Sequence, residues 1–231
     1  MHDQAAMPER FSEWNEQMVA RHDPERFHHH PRAVVRWTEG RRVRAVLKLL
    51  RAAPAHRVLE VGCGAGNLLE RVRADARVGL DLSRAMSSRA RKRLPASAAV
   101  FQGDAEQMPF AGASFDRVLC SSLLSHVLHP ELVLDESWRV LRPGGRLVVS
   151  VSYEATIERG IRLARKLGLG GLLLGDGQHG ENVYNSEYHL HHFDEKLLRE
   201  SAANLPTESL LRKIPWLYPV HIVAAYDKPG A

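Results

Sequence analysis

A short apolar run, Val58-Leu59-Glu60-Val61, passes directly into three glycines at alternate positions, Gly62, Gly64 and Gly66. A strand entering such a loop can turn tightly, and a ligand can come within van der Waals distance of the main chain where any Cβ would clash. The spacing is G-x-G-x-G; it differs from the dinucleotide-binding G-x-G-x-x-G, and no Walker lysine follows, so a pyrophosphate is not the expected guest. Asp81 closes the next apolar run, 19 residues after Gly62, where a carboxylate can accept hydrogen bonds from a ribose. Asp104 follows the third run, so three successive strand ends bring two carboxylates and a glycine loop to one crevice.

Around this loop, short apolar runs alternate with helical stretches. Val43, Val46, Leu47 and Leu50 recur at helical spacing in a segment from 32 to 53 that Pro54 follows. Then come strands expected at 57–61, 77–81, 98–103, 115–122 and 145–152, with helices expected near 67–74, 83–94 and 130–141. Apolar runs separated by helices are what a parallel sheet covered on both faces produces. The runs at 210–217 and 221–228 are joined by only Tyr218-Pro219-Val220, too short for a crossover helix, so this last pair must be antiparallel.

The composition is that of a soluble globular protein. The chain has 231 residues, 44% hydrophobic and 26% charged, which points to one large domain and excludes disordered and fibrous classes. The formal net charge of +5 falls short of a dedicated nucleic-acid binder. Two distant cysteines, Cys63 and Cys120, form no disulfide framework, and Cys120 reads as a core residue. No stretch approaches the ~20 apolar residues that span a bilayer, and the expected location is the cytoplasm.

The stretches VLEVGCGAGNLL, GLDLS, GDAEQMPF, FDRVLCSSLLSHVLHP and LRPGGRLVVSV, in this order, resemble the class I S-adenosylmethionine-dependent methyltransferases. The likeness is greatest to the small-molecule group that includes the ubiquinone and menaquinone biosynthesis C-methyltransferases. The resemblance implies an α/β, Rossmann-like fold: a seven-stranded, mostly parallel sheet with helices on both faces and a C-terminal antiparallel hairpin. It implies S-adenosylmethionine as cofactor and S-adenosylhomocysteine as product. Carried over by position, Gly62, Gly64 and Gly66 line the methionine half, with Glu60 helping to hold its amino group. Asp81 takes the ribose hydroxyls, Leu82 packs on the adenine, Asp104 and the Ala105 backbone read the adenine edge, and Ser121 borders the reactive methyl.

Methyl transfer asks the protein to position two reactants and, where the acceptor carries a proton, to remove it. His126, five residues beyond Ser121, and His189, in the His189-Leu190-His191-His192 cluster, are the candidate bases. Residues 1–31 are expected to form a helical lid and 153–190 a second lid inserted in the domain that occupies 32–231. Trp14, Phe27, Tyr184 and Tyr188 are their candidate walls for the acceptor pocket. Ser121 and Ser122 stand where catechol-type enzymes carry acidic magnesium ligands, so no metal is expected. The basic run Arg84, Arg89, Arg91, Lys92 and Arg93 is the best argument for an RNA substrate, but no aromatic residue interleaves with it to stack bases. The amphipathic stretch 157–174 is suited either to a lid or to peripheral contact with a membrane. The expected activity is therefore methylation of a small-molecule acceptor at O, N or C, such as a natural product, a quinone-like compound or a lipid metabolite. RNA methylation and a binding protein without catalysis are the alternatives.

Overall fold

After its first residue, β1 (Arg57–Val61) is buried throughout, because it lies in the middle of a sheet with neighbours on both edges and layers on both faces. The structure is a computed structural model that describes residues 11–23, 25, 33–168, 188–206, 208–215 and 219–230. Phe27, Tyr184, the His28–His30 tract and half of the expected insertion, 169–187, lie outside the described residues. The strands are β1, β2 (Ala76–Asp81), β3 (Ala98–Gln102), β4 (Phe115–Ser121), β5 (Leu141–Ser152), β6 (Leu210–Ile214) and β7 (His221–Asp227). They form one seven-stranded sheet in the order β3-β2-β1-β4-β5-β7-β6. The first five strands are parallel, whereas β7 runs antiparallel to both β5 and β6. β6 and β7 thus form the antiparallel pair expected for the closing hairpin.

The described helices are α1 (Phe11–Arg21), α2 (Ala33–Leu50), α3 (Arg84–Arg93), α4 (Pro130–Val140), α5 (Glu154–Lys166) and α6 (Glu195–Ser201). One face of the sheet packs on α2 and α3 through Val43, Val46, Leu50, Ala90 and Leu94. The other packs on α4 and α6 through Val133, Leu134 and Leu198. Two local expectations fail. The helix expected near 67–74 is a single 3-10 turn, Leu69–Arg71, because the chain leaves the glycine loop late and must reach β2 at Ala76. β5 begins at Leu141 instead of 145, since Leu141 already pairs with Phe115 ahead of a register shift.

α3 starts where β2 ends. Ser83 caps it, its Oγ accepting from the Met86 N–H at 3.2 Å, and Pro95 follows just after its C-cap, Leu94. The same Oγ donates to Glu16 of α1 at 3.1 Å, and the Arg84 N–H donates to that carboxylate too, which puts an anion at the positive end of the helix. Ser83→Ala should therefore cost about 1 kcal/mol of stability, read as a shift in the denaturant midpoint with unchanged slope. An unmoved midpoint would mean that the cap contributes nothing.

Candidate active site

The order of strands reverses between β1 and β4, and at such a switch point the carboxyl ends of the strands part to leave a crevice. Gly62 and Gly64 form the turn there, both left-handed, with φ of 68° and 53°. The Gly62 and Cys63 N–H groups donate to the Leu80 carbonyl, and the Gly64 N–H donates to Asp81 Oδ2 at 2.7 Å. Asp81 Oδ1 accepts from the Ser83 N–H at 2.9 Å, so one carboxylate ties the glycine loop to the start of α3. Burial pushes the Asp81 carboxyl up to about 6, against the pull of those two N–H groups.

Glu60 lies on the floor of the cavity and is 3% exposed. Its Oε2 has no hydrogen-bond partner, and burial pushes the carboxyl up to about 8 even with Arg42 nearby. A buried carboxylate oxygen without a donor suits a ligand that brings a cation.

The cavity wall brings together Glu60, Gly62, Gly64, Asp81, Leu82, Asp104, Ala105 and Ser121 from the expected cofactor residues. His126, Tyr188 and His189 join them from the expected acceptor side. Gly66 is not part of that wall. A Cβ there would meet Leu94 at 3.2 Å, so this glycine, with φ of 82°, serves the packing of the loop on α3. Trp14 also stands back from the cavity, stacked on Phe11 and tilted against Tyr188, which leaves Tyr188 as the wall and Trp14 as its support. α1, through Phe11, Asn15 and Val19, and His22 just beyond its end close this side.

The two expected histidines differ in kind. The His126 ring lies 4.2 Å from the Tyr188 ring, and its Nδ1 donates to the Tyr188 carbonyl at 2.8 Å. Burial, with His189 beside it, depresses its pKa to about 3, so the ring is neutral and a feeble base. His189 instead has a carboxylate beside it, with Glu154 Oε1 2.8 Å from its Nδ1.

Three groups escaped the sequence reading. Arg42 is 5% exposed; its Nη1 donates to Ser121 and, at 3.1 Å, to Ser150, while its other nitrogens grip Glu39. A signal for it existed, because Arg42 precedes Val46 by one helical turn and so shares the apolar face of α2. His221 is buried with an unpartnered Nδ1, and burial together with Arg42 holds its pKa down at about 3. Glu154 begins α5, where a carboxylate is favoured by the helix dipole.

The basic run on α3 is largely spent within the fold. Arg89 pairs with Asp23 and Glu25, Arg93 with Glu25, and Arg91 donates to the Val100 carbonyl. Among the described residues, no group of three or more His, Cys, Asp or Glu side chains stands where it could hold a metal ion. No helix among them is long and apolar enough to cross a membrane.

A family model described as a methyltransferase domain matches residues 59–149. The chain is 41% identical over 109 residues to the demethylmenaquinone methyltransferase of Beutenbergia cavernae, covering 46% of this chain and 45% of that one. It is 36% identical over 115 residues to the malonyl-[acyl-carrier protein] O-methyltransferase of Erwinia pyrifoliae, covering 49% and 44% respectively. The chain thus spans about half the length of the curated relatives it matches. A solved SAM-dependent methyltransferase from Thermotoga maritima shares the fold, with a TM-score of 0.63 at 18% identity over 92% of this chain and 97% of that one.

Proposed function

We propose that the chain is a class I methyltransferase, as the methyltransferase-domain match over residues 59–149 and the shared fold support, and that it transfers a methyl group from S-adenosylmethionine to a small-molecule acceptor. The observation that carries this reading is the unpartnered, buried Glu60 Oε2 beside the glycine loop. A ligand with an ammonium and a sulfonium supplies the positive charge that this oxygen lacks, and the neighbouring wall suits its other half. When bound, the cofactor provides an activated methyl group for in-line displacement.

The chain's own residues then divide the work. Glu60 draws in the amino group, and Gly62 and Gly64 leave the backbone bare on the side where the methionine half passes. Asp81 keeps lone pairs for the ribose hydroxyls after accepting the Gly64 and Ser83 N–H groups. Leu82 would pack on the adenine, and Asp104 and the Ala105 backbone would read its edge; all three line the cavity. Arg42 holds Ser121 at the mouth of the acceptor side and offers a cation to a ligand carboxylate. α1 and Tyr188, joined by the hydrogen bond from the Tyr188 hydroxyl to Asn15 Oδ1 at 3.4 Å, act as the cover that keeps water from the methyl group. The buried free thiols Cys63 and Cys120 suit a reducing compartment, the cytoplasm.

Calorimetry with S-adenosylmethionine tests the reading: micromolar binding is expected, and absence of binding at millimolar ligand would sink it. In the same assay Asp81→Ala should lose roughly tenfold or more in affinity, since each charge-assisted bond contributes about 1.5–3 kcal/mol. Unchanged affinity in a folded Asp81→Ala protein would mean that the ribose lies elsewhere.

A further inference from the structure

We propose that α5 and the first turns of α2 form a docking surface for an anionic lipid bilayer, beside the cavity. The inference goes beyond methyl transfer and does not depend on it.

α5 is amphipathic, and the fold uses only part of its apolar side. Ile157 and Ala164 are buried against the domain, whereas Leu163 and the C-cap Leu167 are 55% and 62% exposed. The two leucines stand one helical turn apart, in line with Arg159 a turn earlier, and Arg162 and Lys166 form the neighbouring row. Two exposed leucines alone are ordinary on a protein surface. The charge around them is what sets this surface apart.

The cations of α3 are largely paired within the fold, and those of α5 are not. Among the described residues no carboxylate pairs with Arg159, Arg165 or Lys166. Arg162 meets only Glu158, at 3.8 Å, with both side chains more than half exposed. The exposed positions of α5 thus carry four cations and one acid. A helix with apolar and basic side chains adjoining on its solvent side is suited to the boundary between headgroups and acyl chains.

α2 adds a second anchor. Val34 is exposed, Trp37 is 48% exposed, and the Arg41 guanidinium lies 4.9 Å over the Trp37 ring. An indole beside a guanidinium fits the headgroup level, where its apolar body and its polar edge are both satisfied. The two helices sit at the same end of the sheet. Arg42 of α2 bonds to Ser121 and Ser150 near the ends of β4 and β5, and α5 begins two residues after Ser152 closes β5. Val35 and Thr38 of α2 line the cavity, as does Ser152, so both parts of the surface adjoin it.

An anionic bilayer meets all of these features at once. Its surface potential attracts the cations, each worth roughly fivefold in binding, and its interfacial layer takes up Val34, Trp37, Leu163 and Leu167. RNA would pair with the cations and stack on Trp37, but it would leave the leucines in water. A second copy of α5 would set four cations against four.

The test uses the full chain and sedimentation with vesicles of equimolar phosphatidylcholine and phosphatidylglycerol, against vesicles of phosphatidylcholine alone. Binding to the first should be at least tenfold tighter than to the second, and it should weaken as salt is raised. Bromines on the acyl chains should quench tryptophan emission, and Trp37→Phe should remove most of the quenching. Arg159→Gln combined with Lys166→Gln should weaken vesicle binding at least tenfold. Leu163→Ser combined with Leu167→Ser should do the same with Tm unchanged, because both side chains already stand in solvent. Equal binding to the two kinds of vesicle, or quenching that survives Trp37→Phe, would overturn the proposal. So would a leucine variant that melts lower and still binds, since those side chains would then serve the fold. Retention on RNA without vesicle binding would make this a nucleic-acid surface and overturn it too. Calorimetry with S-adenosylmethionine is read separately: its failure would sink the methyl-transfer reading, and the vesicle result would still decide the docking surface.

Discussion

Glu60→Gln should give a protein that is more stable than the native one without ligand and worse at binding S-adenosylmethionine. The carboxyl is raised from its ordinary 4.5 to about 8 by burial. Below pH 4.5 both folded and unfolded chains hold the proton; between 4.5 and 8 only the folded chain does, so stability falls as pH rises through that window. Above pH 8 the folded state bears a buried charge in full, and the neutral amide removes it. With Arg42 losing its neighbour in exchange, the net gain is on the order of 2 kcal/mol, a rise of about 4–8 °C in Tm for a chain of this size. The gain should be present at pH 8 and above and absent near pH 4. Affinity should fall roughly tenfold to a hundredfold, the worth of one charged hydrogen bond. Equal melting curves at high pH, or unaltered affinity, would show that Glu60 is neither strained by burial nor in contact with the amino group.

Alanine at the two first glycines of the loop should separate folding from binding. At Gly62, with φ of 68°, a Cβ would fall 2.7 Å from the Leu123 side chain, so left-handed strain and crowding combine to about 2–4 kcal/mol. At Gly64, with φ of 53°, a Cβ meets nothing within 4 Å, and the cost is the backbone strain alone, about 1 kcal/mol. Gly64 nevertheless lines the cavity, and the methyl group would stand in the space a ligand needs. Gly64→Ala is therefore expected to fold and to lose roughly a hundredfold or more in cofactor affinity, equivalent to about 2.7 kcal/mol. Melting curves and calorimetry on the two variants check this; a Gly64→Ala protein that binds like the native one would remove the loop from the binding surface.

The sheet was legible because its signals are local. A buried strand, a glycine turn and a carboxylate 19 residues later can each be read in a short window, and Glu60, Gly62, Gly64, Asp81 and Asp104 stand together at the switch point as that pattern implies. What the same pattern does not show is the packing of Gly66 on Leu94, at the end of a helix that arrives later in the chain. The acceptor side was harder for a physical reason. Arg42 hides on an apolar helix face because its charge is neutralised by Glu39 and hydrogen-bonded to Ser121 and Ser150, partners that only the fold supplies. Glu154 and His189 are 35 residues apart in sequence, and their meeting depends on how the segment before α6 returns over the sheet. Proximity also separated two histidines that look alike in sequence, since burial silences His126 while a carboxylate accompanies His189.

The reversal of strand order between β1 and β4 makes the molecule divisible. Glu60, Asp81 and Asp104 come from β1, β2 and the turn after β3, on one side of the crossover, while Ser121, Ser150 and His221 come from β4, β5 and β7 on the other. The stretch matching the methyltransferase domain ends at residue 149, so Arg42, Ser150, Glu154, His189 and His221 all lie outside it. Mutation can therefore diversify one half while the other is inherited intact. A directed-evolution library drawn from residues on α2, the end of β5, the His189 segment and the start of β7 would search new acceptors without disturbing the half proposed to grip the donor.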